Sequence, residues 1–192
     1  PLDAALAQRH ATRPTDAEAA ARHDPGVVVR RRDFEQLEVV MSWPGLAHPD
    51  PHRAALDVLL SVLGGGMASR LFVEVRERRG LAYSIDAGEM TYSAAGQVSI
   101  EWACAPERIT AILDVVRRVL DDLLEHGITA DELAQAKGQF RGQTLLGLES
   151  PSARMSRNGR AWLQHDERTI DDIMAAVAAV TAEDVLDLAR TL

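Results

Sequence analysis

An arginine and a tyrosine seven residues apart, Arg76 and Tyr83, stand on either side of Gly80 in the segment SRLFVEVRERRGLAYS. A guanidinium and a phenol flanking a chain reversal can converge on one polar atom, such as a carbonyl oxygen gathering negative charge. The segment reads as a helix from Ser69 to Arg79, with Ser69 as N-cap and Gly80 as left-handed C-cap. Positions three and four residues away sort its arginines. Arg70 and Arg78 each have Glu74 at four residues, whereas Arg76 has Phe72, Val73, Arg79 and Gly80 and therefore a guanidinium with no acidic partner at helical spacing. Spacing alone leaves two readings open. The pair acts on a carbonyl, or Arg76 is solvated and Tyr83 packs in the core.

Other chemistries find little support. His48 and His52 have the four-residue spacing of a helical ligand pair, but Pro49 and Pro51 in HPDPH make this a turn and helix entry, read as a solvated loop. Neither HExxH nor HxxEH occurs, so no metal ligands are assigned in this chain. Cys104, at the end of an apolar strand, reads as a buried free thiol, and no serine lies in GxSxG. The run Gly64-Gly65-Gly66 lacks the Lys-Ser/Thr of a phosphate-binding loop and follows a helix, which leaves a flexible turn.

The elements that must position these residues divide the chain into an Ala-rich lead-in, residues 1–26, read as a linker, and an α+β domain over 27–192. Strands are expected at 27–32, 36–43, 81–91 and 97–104, with Tyr83 opening the third and Ser93 to Gly96 joining the last two as a hairpin. Helices are expected at 50–63, 107–125, 130–148, 151–164, 169–178 and 182–191, with Thr129 and Thr181 as N-caps. Strands first and helices later predict a mainly antiparallel sheet backed on one face by helices. The chain has 192 residues, 46% of them hydrophobic, enough for one sizeable core. A net charge of -8 argues against nucleic acid as a partner. The absence of a long apolar run argues against a membrane span, and one cysteine suits the cytoplasm. The start at Pro1 suggests a fragment with a targeting signal upstream not excluded.

LGGGMASRLFVEVRERRGLAYSI at 63–85 resembles the signature of the C-terminal half of pitrilysin-like zinc peptidases, the group of the mitochondrial processing peptidases and their bacterial relatives. RRRDFEQ, DELAQAKGQFRGQTLLGLESPSARMSRNGR at 131–160 and VTAEDVLDLAR at 180–190 extend the likeness. The resemblance implies one half of a two-domain clamshell around an unfolded peptide. The other half carries HxxEH and zinc; this half contributes Arg76 and Tyr83, which hold the substrate carbonyl and stabilise its oxyanion. It thus implies the substrate-binding half of a zinc endopeptidase, inactive alone. Its partners are a peptide substrate and a zinc-bearing N-terminal domain or partner subunit, with a homodimer as a further arrangement. The alternative is a non-catalytic partner or structural subunit of the same fold. Two departures stand out, the lack of a zinc motif and an end at Leu192 where relatives add a strand.

Overall fold

Alternating apolar residues build the sheet. The computed structural model describes residues 35–192. Strands β1 (Leu37–Gly45), β2 (Ile85–Thr91) and β3 (Gly96–Cys104) form an antiparallel sheet in the order β1-β3-β2. The register aligns Val39 with Trp102 and Ile85, and Met41 with Ile100 and Ala87. These rows point into the core, where Ile85, Val98, Ile100 and Trp102 are buried. The opposite face carries Glu38, Val40, Ser42, Asp86, Met90 and Glu101, all exposed, so the helices cover one side only, as a half-buried antiparallel sheet requires. The expected strand at 27–32 and the lead-in 1–26 lie outside the described residues, among which the sheet has three strands.

Among the described residues six α-helices follow the expected pattern: α1 (Arg53–Gly64), α2 (Ile109–His126), α3 (Ala130–Gly147), α4 (Pro151–Gln164), α5 (Ile170–Ala179) and α6 (Ala182–Thr191). Helix α1 is the hub, packing on β2, α3, α5 and α6 and burying Leu56, Val58, Leu59, Val62 and Leu63. Thr129 and Thr181 close capping boxes with Glu132 and Asp184, and Thr169 does the same with Asp172. Helix α4 buries none of its residues. Cys104 is a buried free thiol, as expected.

Two local expectations are corrected. The helix read over 69–79 is a π-helical turn, Phe72–Glu77, in which the Arg78 amide donates to the Val73 carbonyl five residues back at 2.9 Å. Ser69 does not cap it, because its hydroxyl turns back to the Gly66 carbonyl at 2.6 Å. The glycine run is a site of close approach rather than a flexible turn. A Cβ on Gly64 would collide with the backbone nitrogen of Ala87 in β2, and one on Gly65 would meet the backbone of Ser61.

Arg70 ties the π-helical turn to the helical layer. Its partner is not Glu74 but Glu132 at the start of α3, reached through Nε at 2.6 Å and Nη2 at 2.8 Å. The same guanidinium donates to the Gly127 carbonyl at 2.8 Å and to Asp122 at 3.1 Å. The Arg70 hydrogen bond, more than any other contact, pulls the Glu132 carboxyl down to about 2, and the Thr129 amide adds to it. This pKa is depressed in the fold, so the stability it brings is present above the ordinary carboxylate range and lost as pH falls from about 5 toward 2.

Two outcomes are expected. Gly64→Ala should destabilise by about 3 kcal/mol in urea unfolding, since backbone must move; Gly66→Ala, which meets only the flexible Gln139 amide, should cost far less. Glu132→Gln should flatten the loss of stability between pH 5 and 2, followed by denaturation midpoints across that range.

Candidate functional site

The Arg76–Tyr83 segment is held from both ends by buried side chains. Leu71 and Val75, four residues apart, are fully buried on the inner side of the turn, and Ala82 and Ile85 are buried beyond it. Between them the chain reverses at Gly80, whose φ of 60° an L side chain rarely adopts. The Gly80 amide donates to the Arg76 carbonyl at 2.9 Å, the bond of a left-handed helix cap. Arg108, just before α2, donates to the Gly80 carbonyl at 2.7 Å and clamps the reversal from outside. Tyr83 therefore lies in the connection ahead of β2, which begins at Ile85 and not at Leu81. Pinned between Ala82 and Ile85, its side chain points out and is 80% exposed, which removes the reading of Tyr83 as a core residue.

Arg76 and Tyr83 do meet. The Arg76 guanidinium carbon sits 4.7 Å from the centroid of the Tyr83 ring and 4.7 Å from that of Phe72. The guanidinium is thus not free, as spacing suggested, but held against two rings. Its nearest carboxylate is that of adjacent Glu77, 3.6 Å from Nε, too long for a hydrogen bond. The neighbouring arginines are spent on protein partners: Arg78 and Arg79 both bind Glu74, and Arg70 binds Glu132. A groove of about 570 Å³ alongside is lined by Arg70, Arg78, Arg79 and Arg118 and not by Arg76. Arg76 keeps planar N–H donors that no described residue takes up, beside an exposed phenol. Such an arrangement can bind a carbonyl oxygen or an anion edge-on.

The two histidines do not converge. His52 Nδ1 lies 3.0 Å from Asp50 at the surface, while His48 is only 18% exposed and faces Asp166 at 3.8 Å, so His48 is not the solvated loop residue expected. No group of three or more His, Cys, Asp or Glu among the described residues could hold a metal.

The family described as peptidase M16 inactive domain matches residues 5–140, more than half of the chain. The chain belongs to this family. Among curated relatives, an "uncharacterized zinc protease" of Streptomyces coelicolor is 44% identical over 83% of the chain, which spans 35% of that relative. The peptidase M16 inactive domain from Pseudomonas fluorescens superposes with a TM-score of 0.72 at 28% identity, over 79% of this chain and 37% of that one. The inactive peptidase domain from Bordetella parapertussis has the same fold, with a TM-score of 0.72 at 18% identity over 85% of this chain and 90% of its own. This M16 inactive domain therefore has the α+β architecture expected, and it spans about two fifths or less of the curated relatives it matches.

A second charged cluster escaped sequence reasoning. Asp57, at helical spacing from Arg53 on α1, is half-buried within the field of Arg53, which pairs with Glu89 of β2, and of Arg168, which pairs with Asp166. Burial, then the negative charge of Glu89, pushes its carboxyl up to about 6 against the pull of Arg53 and Arg168. A raised acid is favoured in the fold when protonated, so this contribution is lost as pH rises from about 4 through 6. Asp57→Asn should gain about 2 kcal/mol over the parent at pH 7.5, and the two should converge near pH 4 in chemical denaturation.

Proposed function

We propose that this domain is the substrate-binding half of a zinc-dependent endopeptidase acting on peptides or unfolded segments, with Arg76 and Tyr83 holding the scissile carbonyl. The observation that carries the reading is the contact of an exposed tyrosine with a guanidinium whose N–H donors have no protein acceptor among the described residues. Attack on a peptide carbonyl moves charge onto its oxygen. Two preorganised donors, one cationic, stabilise that charge, and a comparable donor is worth about 3 to 4 kcal/mol. Zinc, which on this reading polarises the carbonyl and activates water, belongs to the half that completes the protein, in the same polypeptide or a partner subunit. The residues here bind and orient the carbonyl and meet the developing charge. The inactive-domain family and the zinc protease names of the relatives support this division of labour. A buried free thiol suits a reducing, cytoplasmic setting.

A second reading, a non-catalytic subunit of the same fold, draws on the same family description. Kinetics on the full-length protein separate the two. Arg76→Ala and Tyr83→Phe should each lower kcat by about 100-fold or more on a peptide substrate. Tyr83→Phe keeps the ring against Arg76, so its Tm should stay within about 2 °C of the parent. Unchanged kcat in both variants would end the catalytic assignment.

A further inference from the structure

The Arg76 guanidinium is restrained in an unusual way for a half-buried cation in this domain. Arg53, Arg70 and Arg168 are each fixed by hydrogen bonds to carboxylates, which consume their donors. Arg76 makes none of these, and both cation–π contacts found among the described residues belong to it. One of the two rings, that of Tyr83, is 80% exposed and follows a glycine turn, so it cannot by itself hold the cation in one place. The other, Phe72, is half-buried and opens the same π-helical turn, next to the buried anchor Leu71 and three residues before the buried Val75. Its ring is the fixed side of the contact. A ring engages the flat face of a guanidinium and leaves the in-plane N–H groups unspent, which a carboxylate partner would not do.

We propose that Phe72 is a positioning residue for the Arg76–Tyr83 pair, its ring holding the guanidinium so that the N–H edge stays available to a substrate carbonyl. This rests on the reading of Arg76 as a substrate-binding residue. The π-helical turn belongs to the same device: it carries Phe72 and Arg76 on one short segment whose inner side is locked by Leu71 and Val75. Phe72 touches no reacting atom in this scheme. It limits the orientations of the group that does, so its loss raises the barrier through misplacement rather than through a missing donor.

The test uses the full-length protein with Phe72→Leu, which keeps apolar bulk but loses the ring, and Phe72→Tyr, which keeps the ring. Phe72→Leu should lower kcat about tenfold with little change in KM, and Phe72→Tyr should stay within about twofold of the parent. In an Arg76→Ala background, Phe72→Leu should have no further effect on kcat, because what it positions is gone. The Arg76 Nε–Hε signal in NMR should lose the Phe72 part of its ring-current shift in Phe72→Leu, leaving only that of Tyr83, and keep the full shift in Phe72→Tyr. A lower Tm with kcat intact, or the same loss of kcat with and without Arg76, overturns the proposal. If Arg76→Ala alone leaves kcat unchanged, the substrate-binding reading has failed and the positioning role falls with it. The NMR shift then still reports whether the ring contact exists.

Discussion

Gly80 turns the chain at φ 60°, and the carbonyl that accepts its amide belongs to Arg76, the residue whose guanidinium then meets the ring of Tyr83. The site depends on this reversal. A helix that continued past Arg79 would carry Tyr83 away along its axis, since each residue advances about 1.5 Å. The left-handed residue folds the following segment back, and the buried pairs Leu71 with Val75 and Ala82 with Ile85 press both arms onto the core. Arg108 then takes up the exposed Gly80 carbonyl. Apolar burial supplies the force, and one permissive backbone position supplies the geometry.

Charge is handled in two different ways around this turn. On the core side, half-buried ions are paired across elements: Arg53 of α1 with Glu89 of β2, and Arg70 with Glu132 at the cap of α3. Such pairs fix which helix lies on which strand, because a partner removed would leave a charge in a poorly solvated place. At the outer edge, Arg76 is held by ring faces and keeps its donors. The contrast separates the carboxylate-paired arginines that join elements from Arg76 at this turn.

Much of the architecture was readable from the chain itself. Alternation in LEVVMSW and QVSIEWAC and the threonine caps at 129 and 181 each act through neighbours a few residues away, and the two strands and two helices they mark formed close to their expected bounds. Misreadings arose where the deciding partner is distant in sequence. Glu132 lies 62 residues from Arg70 and displaces the nearby Glu74. Gly64 reads locally as part of a flexible turn because Ala87, which forbids it a side chain, is on β2, far along the chain. His48 sits in a proline-flanked turn, and the segment before α5 brings Asp166, 118 residues away in sequence, to 3.8 Å from its ring.

The sequence by itself determined the α+β class, the order of its elements, the family signature and the pairing of Arg76 with Tyr83 as candidates, because periodicity, caps and a left-handed glycine are local properties of the chain. Only the tertiary structure decided that Tyr83 faces solvent, that Phe72 joins it against Arg76, and that burial and the charge of Glu89 raise the pKa of Asp57. Exposure, ring contacts and shifted acidity depend on which surfaces meet after packing, and the π-helical turn places side chains where an α-helical count of three and four does not look.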